Sequence, residues 1–274
     1  LPAHAQPRRP VDPGEPARRA ALGKARLEAT PEGRSVLRSI DLHGGLEVWF
    51  AGRALRFRYD YAPVGDQPHR DSVQTVDLLA SRAYHVMRSP VEGRLAFDGQ
   101  RAWSTFDPAK AAPRFWSLTP YYFVALPFVL GDPGVKLARV DDEPGAAGLP
   151  PADVIKATFA TDTGDAPDDY YVAYLAKDDG RLLAVRYVVS YKPFMKDGKP
   201  HGPEKLLVYE DLRPVGALRL SHRHDFYAFD AGTRGDKVTV ATVSDVTHGA
   251  AFDETRLDPP PGAQFDTALE AAQR

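Results

Sequence analysis

From Ala54 onward the hydrophobic period is two: Leu55, Phe57, Tyr59 and Tyr61 alternate with Ala54, Arg56, Arg58 and Asp60. An extended chain with this pattern has one apolar and one charged face. Comparable stretches recur at 72–79, 82–88, 91–98, 101–105, 135–140, 153–160, 170–177, 181–191, 204–212, 217–229 and 237–246. Asp98-Gly99 and Asp178-Asp179-Gly180 suit tight hairpins between such runs. No βαβ alternation and no repeat of fixed period is present. The pattern predicts a mainly β (α+β) chain: a meander of about eleven strands in a single, strongly curved antiparallel sheet or incomplete β barrel, since so wide a sheet must coil or close.

Two regions depart from this period. Thr30 suits a helix cap and Pro31 a first helical position, and Val36, Leu37 and Ile40 form one apolar stripe before Gly44-Gly45. A helix ending at His43 follows, with glycine in the left-handed conformation at its end and the histidine meeting the dipole. Residues 109–130 combine helix formers with prolines at 113, 120 and 127, which limit any helix there to short pieces. Phe115, Trp116, Tyr121, Tyr122, Phe123 and Phe128 crowd this segment. It reads as an interruption of the sheet, either a cap plugging the core or a lid over an apolar cavity. The expected organisation is a mobile Pro/Arg/Ala-rich leader over 1–29 with a helical stretch from Pro16, one domain over 30–258 and a tail over 259–274.

Net charge is −2, from 35 basic and 37 acidic residues, which supplies none of the concentrated positive field that phosphate backbones attract. Nucleic acid is therefore not an expected partner. With no cysteine, disulfides and thiolate metal sites are excluded within the chain. No apolar run reaches the ~18 residues of a spanning helix. Leu1-Pro2-Ala3-His4-Ala5 before Gln6-Pro7 resembles the end of a removed signal peptide. The absence of Asn and the 25 Arg against 10 Lys suggest a GC-rich bacterial genome, so the expected location is periplasmic or otherwise exported.

No G-x-S-x-G, G-x-G-x-x-G or G-x-x-x-x-G-K-[ST] occurs, and no catalytic residue or cofactor is expected. His222 and His224, two apart on a strand and next to Asp225, could begin a metal site, but nothing supplies a third ligand. The preferred reading is two surface histidines facing solvent, and no metal. Arg234-Gly235-Asp236 reads as hairpin loop.

His43-Gly44-Gly45 followed by Trp49, Asp98-Gly99 with Trp103, and Tyr121-Tyr122-Phe123 with Leu126-Pro127-Phe128 resemble exported bacterial proteins of the LolA/LolB-like superfamily, nearest to its poorly characterised members. The resemblance spans roughly 30–246. It implies an incomplete barrel whose apolar concave face is covered by helices acting as a lid. Trp49, Phe57, Tyr59 and Trp103 would line the interior, with Phe115, Trp116, Tyr121, Tyr122, Phe123 and Phe128 above them. It does not place the arginine by which carriers of that superfamily clamp the lid. The function so implied is a non-enzymatic carrier holding a lipid, lipoprotein acyl chain or other apolar ligand. The rival is an envelope structural protein with a filled core and a cell-envelope protein as its partner.

Overall fold

The computed structural model describes residues 12–141, 144–160, 164–166, 168–195 and 198–273. Three helices come first: α1 (Glu15–Glu28), α2 (Pro31–Leu42) and α3 (Leu46–Ala51). Five strands follow: β1 (Ala54–Pro63), β2 (Arg70–Asp77), β3 (Arg82–Ser89), β4 (Gly93–Phe97) and β5 (Ala102–Ser104). A long connection carries two short helices, α4 (Pro113–Trp116) and α5 (Thr119–Val124), and a 3-10 turn at Phe128–Gly131. The second set is β6 (Val135–Arg139), β7 (Ala152–Phe159), β8 (Tyr170–Ala176), β9 (Leu182–Tyr187), β10 (Lys205–Val215), β11 (Leu218–Asp230) and β12 (Thr233–His248). Last come β13 (Gln264–Phe265) and α6 (Ala268–Ala272).

All thirteen strands join one antiparallel sheet in the order β13-β5-β4-β3-β2-β1-β12-β11-β10-β9-β8-β7-β6. Two meanders, β1–β5 and β6–β12, are thus zipped together along β1 and β12, and the sheet does not close. Register shifts in the β1–β12, β2–β3, β8–β9 and β11–β12 pairs add local bend and twist. Because β5 lies near one edge and β6 forms the other, residues 105–134 have to cross the inner face. The main core lies between that face and the crossing segment, α1, α2 and α3. Smaller clusters cover parts of the outer face: Tyr174, Leu183 and Leu206 with Ala147 and Leu149, and Ala96 and Trp103 with Leu257.

The helix expected after Thr30 is α2, whose first turn is capped by Thr30 Oγ1 accepting from the Gly33 N–H at 3.0 Å. Its end is a Schellman turn, with Gly45 N–H donating to Ile40 O (2.9 Å) and Gly44 N–H to Asp41 O (3.1 Å), both glycines at positive φ. His43 is not a cation on the dipole. It is buried, desolvation lowers its pKa, and its Nδ1–H donates to Ser39 O at 2.7 Å. The His43 carbonyl accepts from the Arg219 N–H, so this turn also docks α2 on the β10–β11 hairpin.

Other expectations change. Residues 1–11 of the proposed leader lie outside the described residues, but from Glu15 it is an ordered helix whose Ala20 and Leu27 enter the main core. The tail over 259–274 packs on the sheet: Gln264 and Phe265 pair with β5, and Leu269 is buried. Arg234-Gly235-Asp236 is not in a loop but in β12, paired with β11.

A Cβ on Gly44, at φ +122°, would sit 2.8 Å from both Ala217 O and Leu218 Cδ2. Gly44→Ala is expected to lower unfolding free energy by roughly 1–3 kcal/mol, through strain and loss of the hairpin contact. Urea denaturation measures this, and a variant as stable as the parent would refute the docking role.

Candidate ligand-binding face and its lid

Register fixes which side chains share the inner face. Leu55, Phe57, Tyr59 and Tyr61 of β1 stand opposite Val76, Gln74, Ser72 and Arg70 of β2. On β3, His85 opposes Gln74 and Met87 opposes Ser72. On the other flank Tyr61 opposes Ala241, which opposes His224, which opposes Tyr209. The inner face is therefore rich in phenols and imidazoles.

Polar side chains run across it as a seam. Gln74 Nε2 donates to Ser72 Oγ at 3.0 Å, and the Tyr59 hydroxyl meets His224 Nδ1 at 3.3 Å. Gln74 Oε1 and His224 Nε2 are buried with no hydrogen-bond partner among the described residues. Leaving a buried polar atom unpaired typically costs about 1–3 kcal/mol. Desolvation holds the imidazoles neutral, with His85 pushed down to about 4 and His224 to about 3. Tyr59, Tyr187 and Tyr209 are raised well above the usual phenol value by burial and so stay protonated.

The crossing segment sits on this face. Trp49 stacks on Phe128 (4.3 Å, 1°) and lies 6.4 Å from Tyr121. Phe123 packs against Tyr187 (5.0 Å) and Phe226 (5.5 Å), and Trp116 against Tyr61 (5.4 Å). Polar tethers run from strand side chains to lid carbonyls. His85 Nε2–H donates to Ser117 O (2.9 Å), the Tyr209 hydroxyl to Phe123 O (3.0 Å) and Arg70 Nη1 to Ala111 O (3.2 Å). The Arg70 guanidinium lies 4.4 Å over the Trp116 ring. At the lid's start, Arg114 grips Asp165 bidentately (2.6 and 2.9 Å), bonds Gln100 O, and its backbone N–H donates to Asp266 (3.0 Å).

Two hollows lie along the inner face. One, of about 70 Å³, is bordered by His43, Leu126, Arg181, Leu182 and Tyr209, and the other, of about 10 Å³, by Ser72, Gln74, His85, Met87, Trp116 and Pro120. An apolar cavity of about 150 Å³ takes one benzene. Neither hollow holds an acyl chain with the lid in this position.

Seven of the ten residues expected at the ligand face belong to the main core or pack against it: Trp49, Phe57, Tyr59, Tyr121, Tyr122, Phe123 and Phe128. Trp116 covers the smaller hollow, while Phe115 packs with Tyr191 (5.2 Å) and Phe194 (4.8 Å). Trp103 does not line the interior. It alternates with inward Ala102 and Ser104, packs with Ala96 and Leu257 on the outer face, and its Nε1–H donates to Leu257 O at 2.7 Å. His222 and His224 are not solvent-facing. His224 is fully buried between Tyr59 and Tyr209, and His222 is partly buried with an unpaired Nε2. No group of three His, Cys, Asp or Glu able to hold a metal occurs among the described residues. The strand arginine and lid arginine, Arg70 and Arg114, were not legible from motifs. Neither were Gln74 and His85, because Ser72 and Gln74 share their spacing with any solvent face.

No family model matches the chain, and no curated protein does. Among solved structures, a LolA superfamily protein from Nitrosomonas europaea aligns at TM-score 0.52 and 12% identity over 82% of this chain and 96% of its own. A DUF1329 family protein from Desulfovibrio piger aligns at TM-score 0.53 and 10% identity over 83% of this chain and 97% of its own. The fold is thus shared with a LolA superfamily protein and a DUF1329 family protein, in line with the resemblance in the sequence.

Protonating His224 needs the seam to open, so protons bind the unfolded chain first as pH falls below about 6.5. Asp132 and Asp169, both raised to about 6 by burial, act in the opposite sense, gaining native stability on protonation. Comparison with His224→Phe cancels them. The parent should lose roughly 1–3 kcal/mol relative to that variant between pH 7 and pH 4.5. Parallel stability curves would show that His224 is not held neutral.

Proposed function

We propose that the chain is an exported, non-enzymatic carrier or sensor that holds a lipid, lipoprotein acyl chain or other apolar ligand between its inner face and the lid formed by residues 109–130. The observation behind this reading is how the lid is attached. It joins no strand ladder, rests on aromatic rings, is tied to the strands by single hydrogen bonds from His85, Tyr209 and Arg70 to its backbone carbonyls, and is held near its start by Arg114 on Asp165 and Asp266. Such a segment can lift as a unit and leave the sheet intact. The face beneath is Phe57, Tyr59, Tyr187 and Phe226, to which a ligand would bind by apolar burial, about 0.8 kcal/mol per methylene. Among the described residues no helix is long and apolar enough to cross a membrane.

The small hollows support a second reading, an envelope interaction protein whose interior stays shut and whose exposed edge strand β6 meets a partner. Native mass spectrometry after gentle purification, with lipid extraction and titration by a fluorescent apolar probe, separates the two. Bound lipid and saturable probe uptake support the carrier; neither being detected rules it out. Arg114→Ala, which cuts the lid from Asp165, is expected to speed probe uptake about three- to tenfold with the fold retained. An unchanged rate would mean that the lid does not gate entry.

A further inference from the structure

The inner face is not uniformly apolar, and the departure is concentrated under one lid residue. The hollow beneath Trp116 and Pro120 is floored by Ser72, Gln74, His85 and Met87. Gln74 is 1% exposed. Its amide nitrogen is committed to Ser72, which leaves Oε1 as a buried acceptor with no partner among the described residues. Across from it, His85 turns its Nε2–H away to Ser117 O. Arg70 at the rim sits 4.4 Å over the Trp116 ring with no acidic side chain in contact among the described residues. A face made only to fill a core would carry leucine or valine at position 74, as Leu55 and Val76 do beside it.

The geometry points to a headgroup subsite here: Gln74 Oε1 accepts from a hydroxyl or amide N–H on the ligand's polar end, while Arg70 donates to an oxygen of the same head. The ligand class is an amphiphile whose head pairs a carbonyl or phosphoryl oxygen with a neighbouring hydroxyl or amide, as in an acylglycerol, and its chain runs along Tyr59 and Phe57. A head bearing oxygen acceptors alone would face Gln74 acceptor to acceptor and be discriminated against. Trp116 has to lift for the head to enter, because the present hollow of about 10 Å³ is the size of one water. The subsite rests on the carrier reading above.

Monolauroylglycerol and methyl laurate test it, since they share the chain and ester carbonyl and differ in the hydroxyls. Displacement of the fluorescent apolar probe from the full chain should favour monolauroylglycerol. Gln74→Leu should cut that preference about three- to tenfold, leave methyl laurate affinity equal or higher, and leave the thermal midpoint of the unliganded protein equal or higher. A purely structural glutamine predicts a lower midpoint and an unchanged preference. If both esters displace the probe and Gln74→Leu does not alter their ratio, the subsite is wrong and the carrier reading stands. If neither ester nor probe binds, the carrier reading fails and the subsite with it.

Discussion

The connection between β5 and β6 constrains everything else. The two strands lie eleven inter-strand steps apart in one sheet. At about 4.8 Å per step they would be about 50 Å apart if the sheet were flat. The thirty residues that join them are largely short helices and turns, which cover far less distance per residue than extended chain. The connection reaches only because the sheet curls, and it must then run across the inside of the curl. Prolines at 108, 113, 120 and 127 keep it from becoming one helix, so it follows the curved floor in short pieces. Lid and curvature are one solution to one topological problem.

That solution places unusual chemistry inside. A segment crossing a sheet face has backbone carbonyls without ladder partners, and these need donors. His85, Tyr209 and Arg70 supply them from the strands. Neutral imidazoles and protonated phenols can do this under an aromatic lid without burying a charge. Gln74 Oε1 and His224 Nε2 do not fit that account, since they serve neither lid nor ladder. Unpaired polar atoms retained against a stability cost mark places where a native sequence breaks its own packing rules, and those places tend to be functional.

The period of two was enough to find twelve of the thirteen strands, β13 excepted, and the break at 109–130. It could not say which face is inner. The superfamily resemblance puts Trp103 of β5 inside; register with Ala96 puts it outside, under the C-terminal segment. His222 and His224 failed in the opposite direction, because polar residues on a strand usually face water and here the inner face is polar. The leader failed for a different reason. Ala20, Gly23 and Leu27 are too sparse to form an apolar stripe, but small residues allow close approach, with Gly23 lying against Leu46 and Gly131 O. Composition allowed the helical stretch from Pro16 but did not reveal that proximity holds it in place.

The closed lid also bears on which ligands such a fold would select. On the carrier reading, binding draws on the fraction of molecules whose lid is open. If that fraction is about 1%, apparent affinity falls about a hundredfold, or about 2.7 kcal/mol. Three or four methylenes at about 0.8 kcal/mol each offset it. Short amphiphiles would therefore be excluded by the lid itself, and not by any mismatch with Phe57 or Tyr59. Chain-length selectivity would be set by the contacts of Trp49 with Phe128 and of Arg114 with Asp165, none of which needs to touch the ligand.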